Sequence, residues 1–101
     1  MNNNNSQIIK NYFNDLTDEN LFQVLISLRG DKKSLLNFLT NILKNINFQN
    51  ITISQKHLGF TFFHLERLIE AQYWLEIYVN NFKKDLNAIL YVFRTYWTLQ
   101  L

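Results

Sequence analysis

Two histidines and two glutamates come nearest, in type and spacing, to a metal or acid–base site. His57 and His64 lie seven residues apart and would share one face of a helix, whereas Glu66 and Glu70 would share another. Helical zinc and di-iron sites use His-x-x-x-His or Glu-x-x-His spacings, and this sequence contains neither. We therefore predict no metal and no cofactor, with both histidines partly exposed on their helix.

These spacings do not indicate catalysis. Glu66 and Glu70 would need burial to act as an acid–base pair, and Arg67, three residues before Glu70, predicts a solvated surface ion pair instead. Small helical ribonucleases use an arginine followed four to six residues later by a histidine, and no histidine follows Arg67 or Arg94. Two isolated glycines cannot build a phosphate-binding loop. The sequence predicts a protein that is not an enzyme.

Basic residues form two doublets, Lys32–Lys33 and Lys83–Lys84. Each doublet stands at a predicted helix start, where lysine opposes the helix dipole and does not stabilise the helix. The charges are either solvated or form a divided patch that meets phosphates or an acidic protein surface. The candidate residues for such contacts are Arg29, Lys32, Lys33, Lys83, Lys84 and Arg94.

Aromatic side chains are crowded between Tyr73 and Trp97, which is too many for one helix face. Tyr73 and Trp74 are adjacent and diverge by about 100° on a helix, and Tyr96 and Trp97 diverge likewise. We expect part of this set to face outward, since exposed Trp and Tyr are enriched at binding hot spots. The alternative is an aromatic-rich core. The candidate partner-binding residues are Tyr73, Trp74, Tyr78, Tyr96 and Trp97.

The elements that hold these residues are predicted to be helices. The chain has 101 residues with no proline and two glycines, whereas an all-β domain uses both residue types in frequent turns. We predict an all-α bundle of four or five helices. Residues 6–101 would form a single domain, preceded by a disordered, asparagine-rich tail at residues 1–5.

Capping residues indicate where these helices begin and end. Gly30 suits the position that follows the second helix, because glycine adopts the left-handed conformation without strain, and a loop is predicted at residues 45–50. The second helix is predicted to bury Leu21, Val24, Leu25 and Leu28. The last helix is predicted to bury Leu86, Ile89, Leu90, Phe93 and Trp97. The predicted N-cap residues are Ser6, Thr17, Asp31, Ser54 and Asp85.

The stretch from Ser54 to Val79 is predicted to be one long helix that organises the bundle. Its apolar residues recur at steps of three and four, although Gly59 costs this helix about 1 kcal/mol relative to alanine. Its beginning is ambiguous. A short hairpin at residues 50–63, with NITIS and FTFF as strands, would make the fold α+β instead.

Composition limits the class of protein further. The net charge of +2 is only mildly basic, so it permits nucleic-acid contact without indicating it. The chain contains no cysteine, which removes disulfides and thiolate metal sites. It also lacks a secretory signal pattern and an apolar run of membrane-spanning length. We therefore predict a cytoplasmic protein.

These observations together predict a small non-enzymatic module that binds another protein through the aromatic surface of its C-terminal helices. It would act by stoichiometric occlusion or scaffolding, as an inhibitor or immunity-type protein or as a small subunit of a larger assembly. The alternative is a nucleic-acid-associated subunit, or an inhibitor of a nucleic-acid-binding complex, that uses Lys and Arg phosphate contacts. Self-association through the aromatic face is a third prediction.

Overall fold

The computed structural model describes residues 3–45 and 51–100. Every regular element within these residues is an α-helix and none is a strand, so the all-α prediction is confirmed, with six helices instead of four or five. None of the six has the length and apolar composition that crossing a bilayer requires. The helices are α1 Asn3–Asn14, α2 Asp18–Ser27, α3 Lys32–Asn45, α4 Ile51–His64, α5 Leu68–Asn81 and α6 Leu86–Leu99.

The hairpin alternative is not supported, because residues 51–63 lie in α4. This helix begins at Ile51, so Ser54 lies within it and is not its N-cap. The loop predicted at residues 45–50 falls mainly on residues 46–50, which lie outside the described residues. Helical periodicity therefore prevails over the β-branched composition of NITIS.

The single long helix predicted from Ser54 to Val79 is wrong, because a turn separates α4 from α5. Glu66 adopts a left-handed φ of 64°, its N–H donates to Phe63 O at 3.0 Å, and Arg67 N–H donates to Phe62 O at 2.9 Å. These two bonds form a Schellman motif, in which the left-handed position is usually glycine. A glutamate at this position gives the sequence no signal that the helix ends here.

Three of the predicted N-caps are confirmed. Thr17 Oγ1 accepts a hydrogen bond from Asn20 N–H at 3.1 Å, and Asp31 and Asp85 accept from the third residue of their helices in the same way. Gly30 has the predicted left-handed conformation, with a φ of 81°, but it lies two residues after Leu28, the C-cap of α2, and not directly after the cap. The positions of these three N-caps could therefore be predicted from local side-chain chemistry.

The first helix begins earlier than predicted. It starts at Asn3, so Ser6 lies inside it and is not its N-cap, and the predicted tail at residues 1–5 overlaps its first turn. Met1 and Asn2 lie outside the described residues. The helix packs on α2, and Tyr12 is its buried anchor.

The hydrophobic core is centred on α4, which contacts α2, α3, α5 and α6. Every residue from Lys56 to Thr61 is buried, because neighbouring helices cover this segment on several sides. Gly59 lets α5 approach closely, since a Cβ atom there would lie 2.5 Å from Leu75 Cγ. The second helix and its C-cap residue contribute Leu21, Val24, Leu25 and Leu28 to the core, as predicted.

Candidate functional site

The last helix presents to solvent the face that the sequence assigned to the core. Its buried residues are Ala88, Tyr91 and Thr95. The small Ala88 and Thr95 side chains allow the helix to lie close to α4 and α5, and the Tyr91 ring stacks on Phe60 with centroids 4.1 Å apart. The burial predicted for most of the large apolar residues of α6 is therefore wrong.

Four large apolar side chains form a continuous row on the exposed side of α6, which we call the outer stripe. Leu86 is 73% exposed, Leu90 58%, Phe93 66% and Trp97 72%. Their steps of four, three and four residues match the a and d positions of a heptad, which place side chains on one face of a helix. The outer stripe is therefore a contiguous apolar surface of three helical turns, and such surfaces mark interaction sites on soluble domains.

Hydrogen bonds determine which face of α6 is turned inward. Asn87 Nδ2 donates to Asp18 Oδ2 at 2.9 Å on α2, and the Tyr91 hydroxyl lies 2.8 Å from His64 Nε2 on α4. The buried Thr95 hydroxyl donates to Val92 O within the helix at 2.7 Å, so its burial leaves no polar atom unpaired. Rotating α6 to bury the outer stripe would break these contacts and expose Tyr91.

A groove of about 680 Å³ borders the C-terminal half of the outer stripe. Phe93 and Trp97 contribute its apolar surface, and Phe63 of α4 contributes one of its walls. A concave apolar surface next to an exposed aromatic row is a typical setting for a hot-spot contact. The residues that line the groove are Phe63, Phe93, Arg94, Tyr96, Trp97, Thr98 and Gln100.

Arg94 supplies the positive charge of this groove. Its guanidinium carbon lies 4.9 Å from the centroid of Phe63 and 5.0 Å from that of Tyr91, so the cation rests on two aromatic rings. Among residues 3–45 and 51–100, no carboxylate lies within ion-pair distance of it. The guanidinium therefore contacts aromatic rings, and its charge has no carboxylate partner among these residues, so a carboxylate from another molecule could pair with it.

The predicted partner-binding aromatics do not form one surface. Tyr96 and Trp97 line the groove, and the Tyr96 hydroxyl reaches Glu76 on α5. Tyr73 is 60% exposed on α5 and lies edge-on to the half-buried Trp74. Tyr78 is only 7% exposed, so it belongs to the interior and not to the exposed surface.

The residues that sequence reasoning missed are Leu86, Leu90 and Phe93, which were assigned to the core. The small residues Ala88 and Thr95 indicate the true inner face of α6. They lie seven positions apart on one face, and such a pair allows close helix packing. Weighing small as well as large residues would have identified a second candidate inner face.

The predicted basic contacts fall in separate parts of the chain. Lys32 and Lys33 occupy the first turn of α3, whereas Lys83 and Lys84 lie in the turn between α5 and α6. Lys32 Nζ is paired with Glu66 at 2.8 Å. Phosphate contact through Arg29, Arg94 and these lysines stays a prediction, because no described contact bears on it.

A buried polar network is the second arrangement in which the structure brings chemically active groups together. His57 is 0% exposed, so its predicted partial exposure is wrong. Its Nε2 atom lies 2.8 Å from Asp18 Oδ1, and its Nδ1 atom lies 2.7 Å from the hydroxyl of Tyr12. A tyrosine on α1 and an aspartate on α2 are thereby joined through a histidine on α4.

The partners of His57 determine its tautomer. An ionised Asp18 only accepts hydrogen bonds, so His57 Nε2 carries the proton and donates it. His57 Nδ1 then accepts, and the Tyr12 hydroxyl donates to it. Burial lowers the pKa of His57, because desolvation disfavours the charged ring, and this effect outweighs the hydrogen bond and the charge of Asp18.

Lys56 links this trio to the last two helices. Its Nζ atom lies 2.9 Å from the carboxylates of both Asp18 and Asp85, and the Tyr78 hydroxyl donates to Asp85 Oδ2 at 2.6 Å. Burial raises the pKa of Asp18, but hydrogen bonds from His57, Lys56 and other neighbours outweigh this effect and hold it below its usual range. The network therefore contains one buried cation between two carboxylates.

The chemistry of the network favours a structural role. Burial and the charge of Asp18 raise the pKa of Tyr12, so its hydroxyl stays protonated and is a poor nucleophile. In the part of the chain that the structure describes, no buried side-chain polar atom lacks a partner. In the same residues, no three acidic or histidine side chains are arranged to hold a metal ion. We expect the network to stabilise the junction of α1, α2, α4, α5 and α6.

Comparisons with protein-family models, with curated proteins and with solved structures give no significant match to this chain.

Proposed function

We propose that this protein is a small non-enzymatic module that binds another protein stoichiometrically, with the outer stripe of α6 as its contact surface. The observation that carries this proposal is the exposure of four large apolar side chains, from 58% to 73%, at heptad spacing. Scattered exposed apolar residues are normal on a protein surface. A contiguous row of four on one helix face is not, and partner binding is the function that it supports best.

The energy available from the outer stripe suits a reversible contact. Burying a leucine or phenylalanine side chain completely contributes about 1.5–3 kcal/mol. Four such side chains give a gross gain on the order of 10 kcal/mol, comparable with the cost of about 4–15 kcal/mol for association. The groove and its Arg94 must therefore contribute to affinity as well.

The outer stripe is also preorganised, which lowers the entropy cost of binding. Asp85 caps the beginning of α6, and Tyr91 anchors its middle by stacking on Phe60. The helix therefore does not have to fold when its partner arrives. Occlusion or scaffolding needs only such a rigid surface, and it involves no chemical step.

Partner capture from an extract of the native host tests the proposal. We expect wild-type protein to retain a partner in a fixed molar ratio, and the Phe93→Ser/Trp97→Ser variant to lose it. Ile26→Ser is the matched control, because Ile26 is 57% exposed on α2, away from the outer stripe. A partner retained equally by the double variant would contradict the proposal.

A further inference from the structure

We infer that the outer stripe binds an amphipathic helix of another protein, and that this helix carries a carboxylate beside its apolar face that pairs with Arg94. This inference rests on the proposed function and adds the chemistry of the partner. It goes beyond an apolar contact because it specifies a charge and the position of that charge.

The spacing of the outer stripe points to a helical partner. Leu86, Leu90, Phe93 and Trp97 follow the d, a, d and a positions of two heptads, the pattern of the seam between paired helices. The row extends over 12 residues, or about 16 Å along the axis. A partner helix of three turns or more would cover it, with its own apolar residues lying between those of the stripe.

The position of Arg94 points to an acidic flank on that helix. Arg94 directly follows Phe93 in the heptad, at an e position, where paired helices form salt bridges across the seam. Its guanidinium carbon lies 4.9 Å from the Phe63 ring centroid and 5.0 Å from that of Tyr91, and contact with two rings favours this rotamer before binding. A guanidinium presents a planar fork of donors that matches a carboxylate.

Arg94 is the charged side chain among the residues that line the groove. The lining of the groove contains no acidic side chain. Burial lowers the pKa of His64, and the positive charges of Arg94 and Arg29 lower it further. Both arginines therefore act on the same end of α4, and a partner carboxylate would enter a field of opposite sign.

A second copy of this chain that pairs through the same helix does not satisfy this requirement. The α6 sequence contains no aspartate or glutamate, so α6 paired with α6 offers Arg94 no carboxylate from the facing helix. Asp85, just before the helix, is already bonded to Lys56 and Tyr78. Charge complementarity therefore favours a different protein over self-association.

An anionic membrane is also a poorer match. Helices that lie on membranes carry several Lys or Arg residues on the polar face, whereas α6 has Arg94 as its single basic residue. One positive charge contributes only about 1 kcal/mol to binding an anionic leaflet. The outer stripe is better matched to a protein helix, in which one well-placed carboxylate is enough.

Two synthetic probe helices test the inference by fluorescence anisotropy at 150 mM salt. Both have leucine at the a and d positions of three heptads, and they differ in having glutamate or lysine at e and g. We expect wild-type protein to bind the glutamate probe at least ten-fold more tightly than the lysine probe. We expect Arg94→Glu to reverse that order.

Lys33→Glu is the matched control, because it changes the net charge equally at an exposed site on α3 and should leave the order unchanged. Equal binding of the two probes, or binding of neither, would overturn the inference. So would tighter binding to a peptide of residues 83–100 of this chain, or to vesicles of anionic phospholipid. If partner capture still depends on Phe93 and Trp97 in any of these cases, the proposed function stands and only the acidic-helix inference fails.

Discussion

At α6, a polar network lies on the inner side of the helix and an apolar row on its outer side, the reverse of the usual arrangement. On its inner side, the beginning of the helix contacts a network of ionised and hydrogen-bonded groups around Lys56 and His57, both of them buried. On its outer side, Phe93 and Trp97 are exposed to solvent. A polar interior requires paired contacts to be stable, whereas an apolar exterior gains free energy only when another molecule covers it.

The inner contacts of α6 hold the helix in place, whereas its outer stripe is presented to solvent. Asn87 and Tyr91 fix the orientation of α6 through bonds to α2 and α4. The outer stripe contributes little to this arrangement, so it is available for a partner. The following predictions test that separation, in order of decreasing expected effect.

Replacing Lys56 by methionine should have the largest effect. The substitution removes the cation between Asp18 and Asp85 and leaves two partly buried carboxylates without a counter-ion. Breaking a buried ion pair from one side costs about 3–5 kcal/mol, and we expect the free energy of unfolding, measured with urea, to fall by that order. Lys84→Met is the control at an exposed lysine. Equal stability of the two variants would mean that the network does not hold the fold.

Gly59→Ala tests how closely the interior is packed. A Cβ atom at this position would lie 2.5 Å from Leu75 Cγ and 2.7 Å from Leu75 Cδ2. We expect a net loss of about 1–2 kcal/mol in urea unfolding, because overpacking outweighs the better helix propensity of alanine.

The same substitution in a Leu75→Ala background provides the control. The clashing atoms are then absent, so Gly59→Ala should become stabilising. A loss of equal size in both backgrounds would show that the close approach of α4 and α5 is not the cause.

Stability should fall as the pH is lowered from 7.5 to 5.5. Burial holds the pKa of His57 below its ordinary value, so the unfolded chain takes up a proton that the folded protein does not. The neutral His57 contributes its full stabilisation above about pH 6.5, and this contribution is lost as the pH falls further. The resulting loss in the free energy of unfolding between pH 7.5 and 5.5 is about 1 kcal/mol. The lowered pKa values of Asp18 and Asp85 add a further loss below about pH 4.

Urea unfolding at pH 7.5, 5.5 and 3 measures this dependence. The pKa of His64 is lowered as well, so a His64→Gln background isolates His57. In that background, His57→Gln should remove most of the change between pH 7.5 and 5.5. A free energy of unfolding that is constant or rises as the pH falls through this interval would contradict the buried, neutral His57.

Much of the fold could be predicted from the sequence because it depends on local chemistry. Thr17, Asp31 and Asp85 cap their helices through bonds to residues three positions ahead, and such spacings are visible in a sequence. The turn at Glu66 could not be predicted, because its left-handed conformation occurs at a residue that usually avoids it.

The orientation of α6 could not be predicted from the local sequence pattern either. Both of its faces carry apolar residues, so periodicity alone could not identify the inner one. The choice depends on contacts with distant residues, such as Asn87 with Asp18 and Tyr91 with Phe60. Of the predicted partner-binding set, Tyr96 and Trp97 line the groove beside the outer stripe, while Tyr78 belongs to the polar interior.

Urea unfolding of the Phe93→Ser/Trp97→Ser variant tests the separation of the two regions most directly. Both side chains are largely exposed, and serine has a helix propensity similar to those of phenylalanine and tryptophan. We therefore predict a free energy of unfolding within about 0.5 kcal/mol of wild type, the range of ordinary surface substitutions. A loss of about 2 kcal/mol or more, as expected for core truncations, would place the outer stripe in the hydrophobic core and contradict this account.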